Sequence, residues 1–407
     1  MSDQPEPTSQ ERIAKFKDWV HTKAAPKNAV PLKEGSNILL AAAFHGLARH
    51  SGGATNLTMY EQLGVDFFKA LAGNDDEVLR AYGDICVEAK TLARAGNFLA
   101  ANTPLSVMGL SNDAPYTTEL YTKDFNELGA EATRQPHIRA ITPEQIDSEG
   151  NLAATSGFTA ASTQLGREVT VFTLNQEDME LYRSETVRST WYSFKCEGVR
   201  FTCHRRSGEL GKDEVYFTWG FGGDGRAEVS HRTPEFGSVK AGNVRDFPRN
   251  PPIYAGHINK GFAGHMICWE ADHSNSEWYN KLILAMNEIA RRSSDMAVSV
   301  GDANWDFLIG LVGPVGQVND VIFWIENIST LVAAFLDLFR NQDDMVKECS
   351  YAFSKAFVAR AHGSEQNWRF DGGGGGNHTV AVRFEVISSW ESVTVTEPAK
   401  ASGELPN

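Results

Sequence analysis

Cysteine is scarce in this chain, which has five cysteines among its 407 residues. Small domains that rely on disulfide bonds use cysteine far more densely, so a disulfide scaffold is excluded. Basic residues are also in deficit, 38 against 52 acidic ones, and the formal net charge is −14. A nucleic-acid-binding protein needs basic surface to replace phosphate counterions, so we expect no nucleic acid among the partners.

An apolar leader of the kind that directs secretion is missing from the sequence as well. The chain opens with MSDQPEPTSQERIAKFKDW, which is polar and charged where a signal peptide has an unbroken apolar core. We therefore expect a cytoplasmic protein, with non-classical export as the alternative.

Apolar residues, in contrast, are plentiful. A composition of 42% hydrophobic and 10% aromatic residues excludes a wholly disordered or collagen-like chain. From residue 9 to about residue 97, apolar residues recur at spacings of three and four, which predicts four helices. Ser9 and the capping box Thr58–Glu61 mark two of the helix starts. Prolines interrupt residues 98–165, which we interpret as a connecting region with one short helix near 124–133.

Beyond Arg167 the pattern changes to alternation of apolar and polar residues, which is typical of strands. The fold class we predict is α+β: a helical N-terminal part followed by an antiparallel β-sandwich. The expected domains are 1–165, helical with an irregular connection, and 166–397, the sandwich with a helical insertion at 276–341; a disordered tail, 398–407, follows. Five consecutive glycines, 372–376, predict a flexible hairpin turn. The predicted strands cover residues 168–174, 186–204, 213–221, 227–231, 264–272, 367–370 and 379–395.

Acidic residues cluster where these strands are expected to end. Carboxylates from neighbouring loops of a rigid scaffold are the ligands that Ca²⁺ prefers, so Ca²⁺ is the cofactor that this pattern would suit. The spacing of an EF-hand is not present, and solvated loop ends are the alternative interpretation in a chain of net charge −14. The predicted metal ligands are Asp213, Glu270, Asp272, Asp343 and Asp344.

Four short motifs in this half of the chain resemble C2-like β-sandwich modules of uncharacterised toxin- or effector-associated proteins. They are DEVY from residue 213, WEAD from residue 269, the pair Asp343-Asp344 after an apolar stretch, and the glycine hairpin that follows Asp371. The resemblance covers roughly residues 186–396. It implies an antiparallel C2-like sandwich with calcium or membrane contact, and it implies no catalytic residue.

The segment 305–339 is strongly apolar and has two interpretations. Glu326, Thr330 and Asp337 form a narrow polar stripe, and ionised carboxylates oppose a permanent membrane span, because each costs about 3 kcal/mol at the bilayer centre. The first interpretation is a helix covered by the rest of the fold. The second is a hairpin that is released onto a membrane, as in a pore-forming protein. The predicted membrane-contact residues are Phe323, Trp324, Leu331 and Phe335.

An enzymatic interpretation rests on the histidines. His257, His265 and His273 share one stretch with Cys268, Glu270 and Asp272, from which a hydrolytic metal site could be drawn. Strand alternation, however, places His265 and Cys268 on opposite faces. The HExxH, nucleophile-elbow and phosphate-loop patterns do not occur. For Cys196 and Cys203 we expect buried free thiols, with a disulfide between them as the alternative.

The leading hypothesis is therefore a non-enzymatic interaction protein, toxin- or membrane-associated, with calcium-binding loops. Its partner would be a membrane lipid or another protein. A metal-dependent hydrolase using residues 257–273 and a structural or assembly protein are the alternatives.

Overall fold

The computed structural model describes residues 8–21, 38–92, 105–121, 123–124, 135–174, 190–208, 213–271, 280, 283, 286–291, 293–295 and 344–391. Both helices and strands are present, and the α+β class is confirmed. The helices are α1 Ser9–His21, α2 Ile38–Ser51, α3 Met59–Leu71, α4 Asp76–Leu92, α5 Leu105–Met108, α6 Ser156–Leu165 and α7 Lys355–Arg360.

Two helix starts in the N-terminal part are fixed by reciprocal capping. Thr58 and Glu61 form the predicted capping box: the Glu61 amide donates to Thr58 Oγ1 (3.3 Å) and the Thr58 amide donates to Glu61 Oε2 (2.8 Å). At α1 the same pairing joins Thr8 and Glu11, so the cap lies one residue before the expected Ser9. Each box satisfies amides that the first helical turn leaves without a partner.

The described strands form two sheets. The strands are β1 Ile138–Ile141, β2 Arg167–Phe172, β3 Thr190–Arg205, β4 Asp213–Gly223, β5 Glu228–Arg232, β6 Phe236–Val239, β7 Val244–Asp246, β8 Pro252–Ile258, β9 Gly261–Glu270, β10 Asp344–Ser354, β11 Glu365–Asp371 and β12 Asn377–Glu391. The first sheet has seven described strands in the order β1-β2-β10-β9-β4-β5, with β6 also paired to β4. The second has five described strands in the order β11-β12-β3-β7, with β8 also paired to β3.

The prediction of a wholly antiparallel sandwich is wrong at one edge of the first sheet. Strand β2 runs parallel to both β1 and β10, and the other described pairs are antiparallel. Parallel neighbours need a crossover connection, and α6 lies within the chain that joins β1 to β2. The region expected to be an irregular connection therefore contributes a strand and a crossover helix to the sheet.

The first sheet is covered on both faces. One face shares a hydrophobic core with α1–α4 through Val169, Val171, Ile267 and Trp269. The other face shares a second core with the five-stranded sheet, rich in aromatic rings. The described elements thus stack as helices, first sheet and second sheet, and the division into domains at residue 165 stays a prediction.

The predicted helical insertion at 276–341 is described only in part. Residues 286–291 and 293–295 are helical, and Met286 and Ile289 are buried against the first sheet. Glycines of β4 permit this close approach, because a Cβ at Gly220 would overlap the Met286 carbonyl and one at Gly222 would overlap the Ala290 carbonyl. Within the described ranges, none of the helices has the length and apolar character needed to cross a bilayer.

Candidate functional site

Two of the five predicted calcium ligands meet at the ends of β4 and β9. Asp213 and Glu270, 3% and 6% exposed, both contact the hydroxyl of Ser207, Asp213 Oδ1 at 3.0 Å and Glu270 Oε1 at 2.8 Å. The Ser207 amide also donates to Asp213 Oδ2 (2.6 Å). The Ser207 hydroxyl thus lies between two of the predicted ligands.

The other predicted ligands are incompletely placed. The backbone of Asp344 lies opposite Glu270 in the β9–β10 register, whereas Asp272 and Asp343 lie outside the described residues. In the part of the chain that the structure describes, no three His, Cys, Asp or Glu side chains are grouped to hold a metal ion. The predicted membrane-contact residues Phe323, Trp324, Leu331 and Phe335 also lie outside the described ranges.

The predicted histidine site is not assembled among the described residues. His265 is fully buried on β9, where its Nδ1 lies 2.8 Å from Ser350 Oγ and 3.2 Å from Glu348 Oε1. A nucleophile–base relay needs the hydroxyl and the carboxylate on opposite ring nitrogens. Cys268 belongs to the core between the two sheets, on the opposite face of β9 from His265, as alternation predicted. His273 lies outside the described residues.

All five cysteines are free and buried, as expected for Cys196 and Cys203. Burial raises the pKa of the Cys203 thiol to about 11, with the nearby Asp213 charge adding to the effect. Burial also holds the pKa of Cys268 and Cys349 well above the usual value. A thiolate nucleophile at neutral pH is therefore disfavoured at these three positions.

A cavity of about 390 Å³, lined by both polar and apolar groups, lies where the two sheets and α6 meet. We call it the Lys347 cavity. It is lined by Arg139, Asn151, Leu152, Ala154, Phe158, Thr159, Ser162, Thr163, Glu168, His204, Lys347, Asn367, Arg369, Asp371 and Thr379.

Strand alternation directs two charged residues into this cavity. Glu168 lies two positions before Thr170 and four before Phe172, and Phe172 belongs to the core between the sheets. Lys347 lies two positions before Cys349 and four before Tyr351 on β10, and both of these residues belong to that core. Glu168 and Lys347 therefore lie at the end of the inter-sheet core, beside the cavity.

The charged side chains of the first sheet form one network. Lys347 Nζ lies 2.5 Å from Glu168 Oε2 and donates to Ser162 Oγ at 3.3 Å. Arg139 lies on the other side of Glu168, with Nη2 3.3 Å from Oε1, and its Nε donates to Thr170 Oγ1 at 3.0 Å. The Arg139 guanidinium is stacked 4.2 Å above the ring of Phe158.

These contacts favour the ionised forms of Glu168 and Lys347. Burial would raise the pKa of Glu168, but the charges of Lys347 and Arg139 and the hydrogen bond from Lys347 outweigh it, and the pKa is lowered. Burial would lower the pKa of Lys347, but Glu168 outweighs it, and the pKa is raised. Both groups are therefore ionised at neutral pH.

The second sheet supplies the opposite wall. Asp371 accepts from Arg369 Nη2 (2.9 Å), Arg205 Nη2 (3.0 Å) and Asn377 Nδ2 (3.2 Å). The glycine hairpin follows directly: β11 and β12 pair up to Asp371 and Asn377, and a single 3₁₀ turn, Gly373–Gly375, joins them. The turn is held by a hydrogen bond from the Gly373 amide to Asp371 Oδ1 (3.2 Å).

Of the cavity residues, only Asp371 was singled out from the sequence, as part of the glycine-hairpin motif. For the central pair the signal is a charged residue in each of two strands, Glu168 in REVTVF and Lys347 in DMVKECSYAFS, at positions that alternation places among core residues. That signal can be used only if β10 is identified as a strand. The charged and polar residues of β10 make this difficult, because they interrupt its apolar pattern. A search against known protein families and curated proteins finds no match to this chain.

Proposed function

We propose that this chain is a non-enzymatic interaction protein that binds a small polar ligand in the Lys347 cavity. The observation that carries the proposal is the buried Lys347–Glu168–Arg139 network, which faces a cavity instead of packed side chains. A buried ion pair contributes little net stability, because the cost of removing two charges from water offsets their attraction. A concave site with a few fixed polar groups is, in contrast, the usual form of a small-molecule site.

Binding is favoured over catalysis by the charge state of the same groups. General acids and bases need pKa values close to the working pH. The pKa of Glu168 is lowered and that of Lys347 is raised, so both move away from neutrality. The network therefore supplies fixed charges and oriented donors.

The test is a thermal-shift screen with a diverse set of small polar metabolites, both charged and neutral. A ligand that binds only the native state raises the melting temperature according to RT ln(1 + [L]/Kd). Ala154 is an exposed cavity residue on the approach to α6, so Ala154→Trp should block entry and abolish any shift. Ala160→Trp, at an exposed position of α6 outside the lining, is the matched control and should keep the shift. A screen with no hit, or hits that Ala154→Trp leaves unchanged, would contradict the proposal.

We propose calcium binding at the strand ends as a second candidate function, in keeping with the C2-like resemblance. The supporting observation is that Asp213 and Glu270 converge on Ser207. Millimolar CaCl₂ should raise the melting temperature relative to chelator, and Asp213→Asn or Asp272→Asn should reduce the gain. Asp246→Asn, at an exposed position of β7, is the control. Identical melting curves with calcium and with chelator would remove this candidate.

Membrane association belongs to the same second candidate and rests on the apolar sequence 305–339. Protonation of Glu326 and Asp337 would remove the charges that oppose insertion, so dye release from anionic liposomes should increase between pH 7 and pH 4.5. Leu331→Glu should abolish the release, and Leu331→Ile should preserve it. Absence of release at every pH would exclude a membrane hairpin.

A further inference from the structure

The Lys347 cavity has cationic hydrogen-bond donors that its two carboxylates do not fully use. The Lys347 ammonium has three N–H groups, and its contacts are with Glu168 and Ser162. Arg369 donates through Nε to Asn377 and through Nη2 to Asp371. Its Nη1 makes no hydrogen bond within the described residues, and a ligand that reaches this wall would meet an available cationic donor.

Both carboxylates of the cavity already accept from cationic side chains. Glu168 accepts through both oxygens, from Arg139 on one and Lys347 on the other. Asp371 accepts through both oxygens, from Arg205 and the Gly373 amide on Oδ1 and from Arg369 on Oδ2. An anionic ligand would supply further charged acceptors for the donors of Lys347 and Arg369 that these carboxylates do not use.

The charge of the lining favours an anion. Three cationic side chains, those of Arg139, Lys347 and Arg369, face two carboxylates, those of Glu168 and Asp371. The lining thus has a net positive charge in a chain whose formal net charge is −14. Such a local reversal of sign raises the local concentration of anions and orients them as they enter.

The other polar groups of the lining suit hydroxyl groups. Thr159 and Thr163 of α6 and Thr379 of β12 can each both donate and accept, and the amide oxygen of Asn367 can accept, since its Nδ2 already donates to the Glu149 carbonyl and to Asn151. His204 contacts Thr379 Oγ1 through Nε2 at 2.8 Å, and burial lowers the pKa of His204, with the charge of Arg369 adding to the effect. The volume of about 390 Å³ is near the lower end of the range for small-molecule sites.

We infer that the Lys347 cavity binds a small hydroxylated anion, a sugar phosphate or a sugar acid. The phosphate or carboxylate lies against the cationic wall and the hydroxyl groups face the threonines of α6. This inference rests on the proposed binding function and specifies its ligand class.

The test compares glucose 6-phosphate, glucuronate, glucose, glucosamine and inorganic phosphate by thermal shift and titration calorimetry. The two anionic sugars should raise the melting temperature, whereas glucose and glucosamine should not. Arg369→Gln should weaken their binding about tenfold, because a charge-assisted hydrogen bond is lost. The control is Arg383→Gln: Arg383 lies on β12, half-exposed and 3.6 Å from Glu365, outside the lining, and its replacement should leave Kd unchanged.

The comparison of glucose 6-phosphate with glucuronate distinguishes a phosphate ligand from a carboxylate ligand. Binding of only one anionic sugar supports the inference and identifies the group as phosphate or carboxylate. Glucose binding as tightly as the anions, equal loss in Arg369→Gln and Arg383→Gln, or inorganic phosphate binding as tightly as glucose 6-phosphate would overturn it. If the anionic sugars fail while a compound of another class shows a shift that Ala154→Trp abolishes, the inference is wrong and the binding function stands. If no compound of any class binds, both are wrong.

Discussion

Lys347 and Glu168 are each 3% exposed at the side chain, and each balances the charge of the other. Lys347→Met would leave Glu168 buried with Arg139 as its remaining described cation, and we expect a loss of about 3 kcal/mol in the free energy of unfolding. Adding Glu168→Gln should recover part of that loss, because the uncompensated charge is removed. Urea denaturation measures both variants.

The control for this pair is Lys195→Met. Lys195 is 36% exposed and forms an ion pair with Glu197 on β3. An exposed pair of this kind contributes at most about 1 kcal/mol. Equal losses in Lys347→Met and Lys195→Met would show that the buried network has no special energetic role.

His378 provides a pH-dependent term. Its imidazole is 1% exposed and packs edge-on against Phe201 at 6.1 Å. Burial lowers its pKa from 6.5 to about 4, and the charge of Asp213 only partly opposes this effect. Between these two pH values the unfolded chain binds a proton that the native protein does not. Stability therefore falls as the pH decreases through this window, by roughly 3 kcal/mol for a shift of this size.

The variant that tests this term is His378→Gln, which stays neutral at every pH. It should lose less stability than the wild type when urea unfolding is repeated at pH 6.5 and pH 4. Burial also lowers the pKa of His45, so this residue makes stability fall with decreasing pH as His378 does. His45 is present in the wild type and in the variant, and the difference between the two proteins therefore reports His378. Parallel stability curves for the two proteins would show that His378 does not contribute.

At the scale of elements, the contact between β4 and the helical residues 286–291 depends on glycine. A Cβ at Gly220 would overlap backbone atoms of Met286, which cannot move as a flexible side chain can. Gly220→Ala should therefore cost about 1–3 kcal/mol, the usual penalty of overpacking. Gly237→Ala on β6 is the control, because its nearest neighbour would be Glu214 Oε1 at 3.8 Å. Similar melting temperatures for the two variants would contradict the tight contact.

Elements with a strong local signal could be predicted from the sequence. The capping box Thr58–Glu61 begins α3, and continuous alternation identified most of β3 and β4. These signals are local because a helix cap or a half-buried strand is specified by residues only a few positions apart.

Elements defined by distant partners could not be predicted in this way. Strand β10 has Lys347 and Glu348 among its buried residues, and these residues are tolerated only because Glu168, Ser162 and His265 lie beside them in the fold. The candidate cavity has the same origin, since its lining spans residues 139 to 379. No window of the sequence contains both members of its central ion pair.

At the scale of the whole molecule, the helices and the first sheet share one hydrophobic core. Phe16, Phe44 and Phe68 of the helices belong to the same cluster as Ile267 and Trp269 of β9. Apolar surface buried between layers contributes roughly 25 cal/mol for each Å² removed from water, so neither layer keeps its full stability alone. The helical face that packs on the sheet would be exposed in an isolated N-terminal fragment.

This shared core predicts that the two regions unfold together, although the sequence suggests separate domains. Urea unfolding of the full chain should give coincident transitions by far-ultraviolet circular dichroism, which reports the helices, and by tryptophan fluorescence, to which Trp219, Trp269 and Trp368 of the sheets contribute. A fragment of residues 1–165 should lack a cooperative transition, because it loses Val169, Ile267 and Trp269 from its core. Two resolved transitions in the full chain, together with a cooperatively folded fragment, would instead establish an independent helical domain that ends near residue 165.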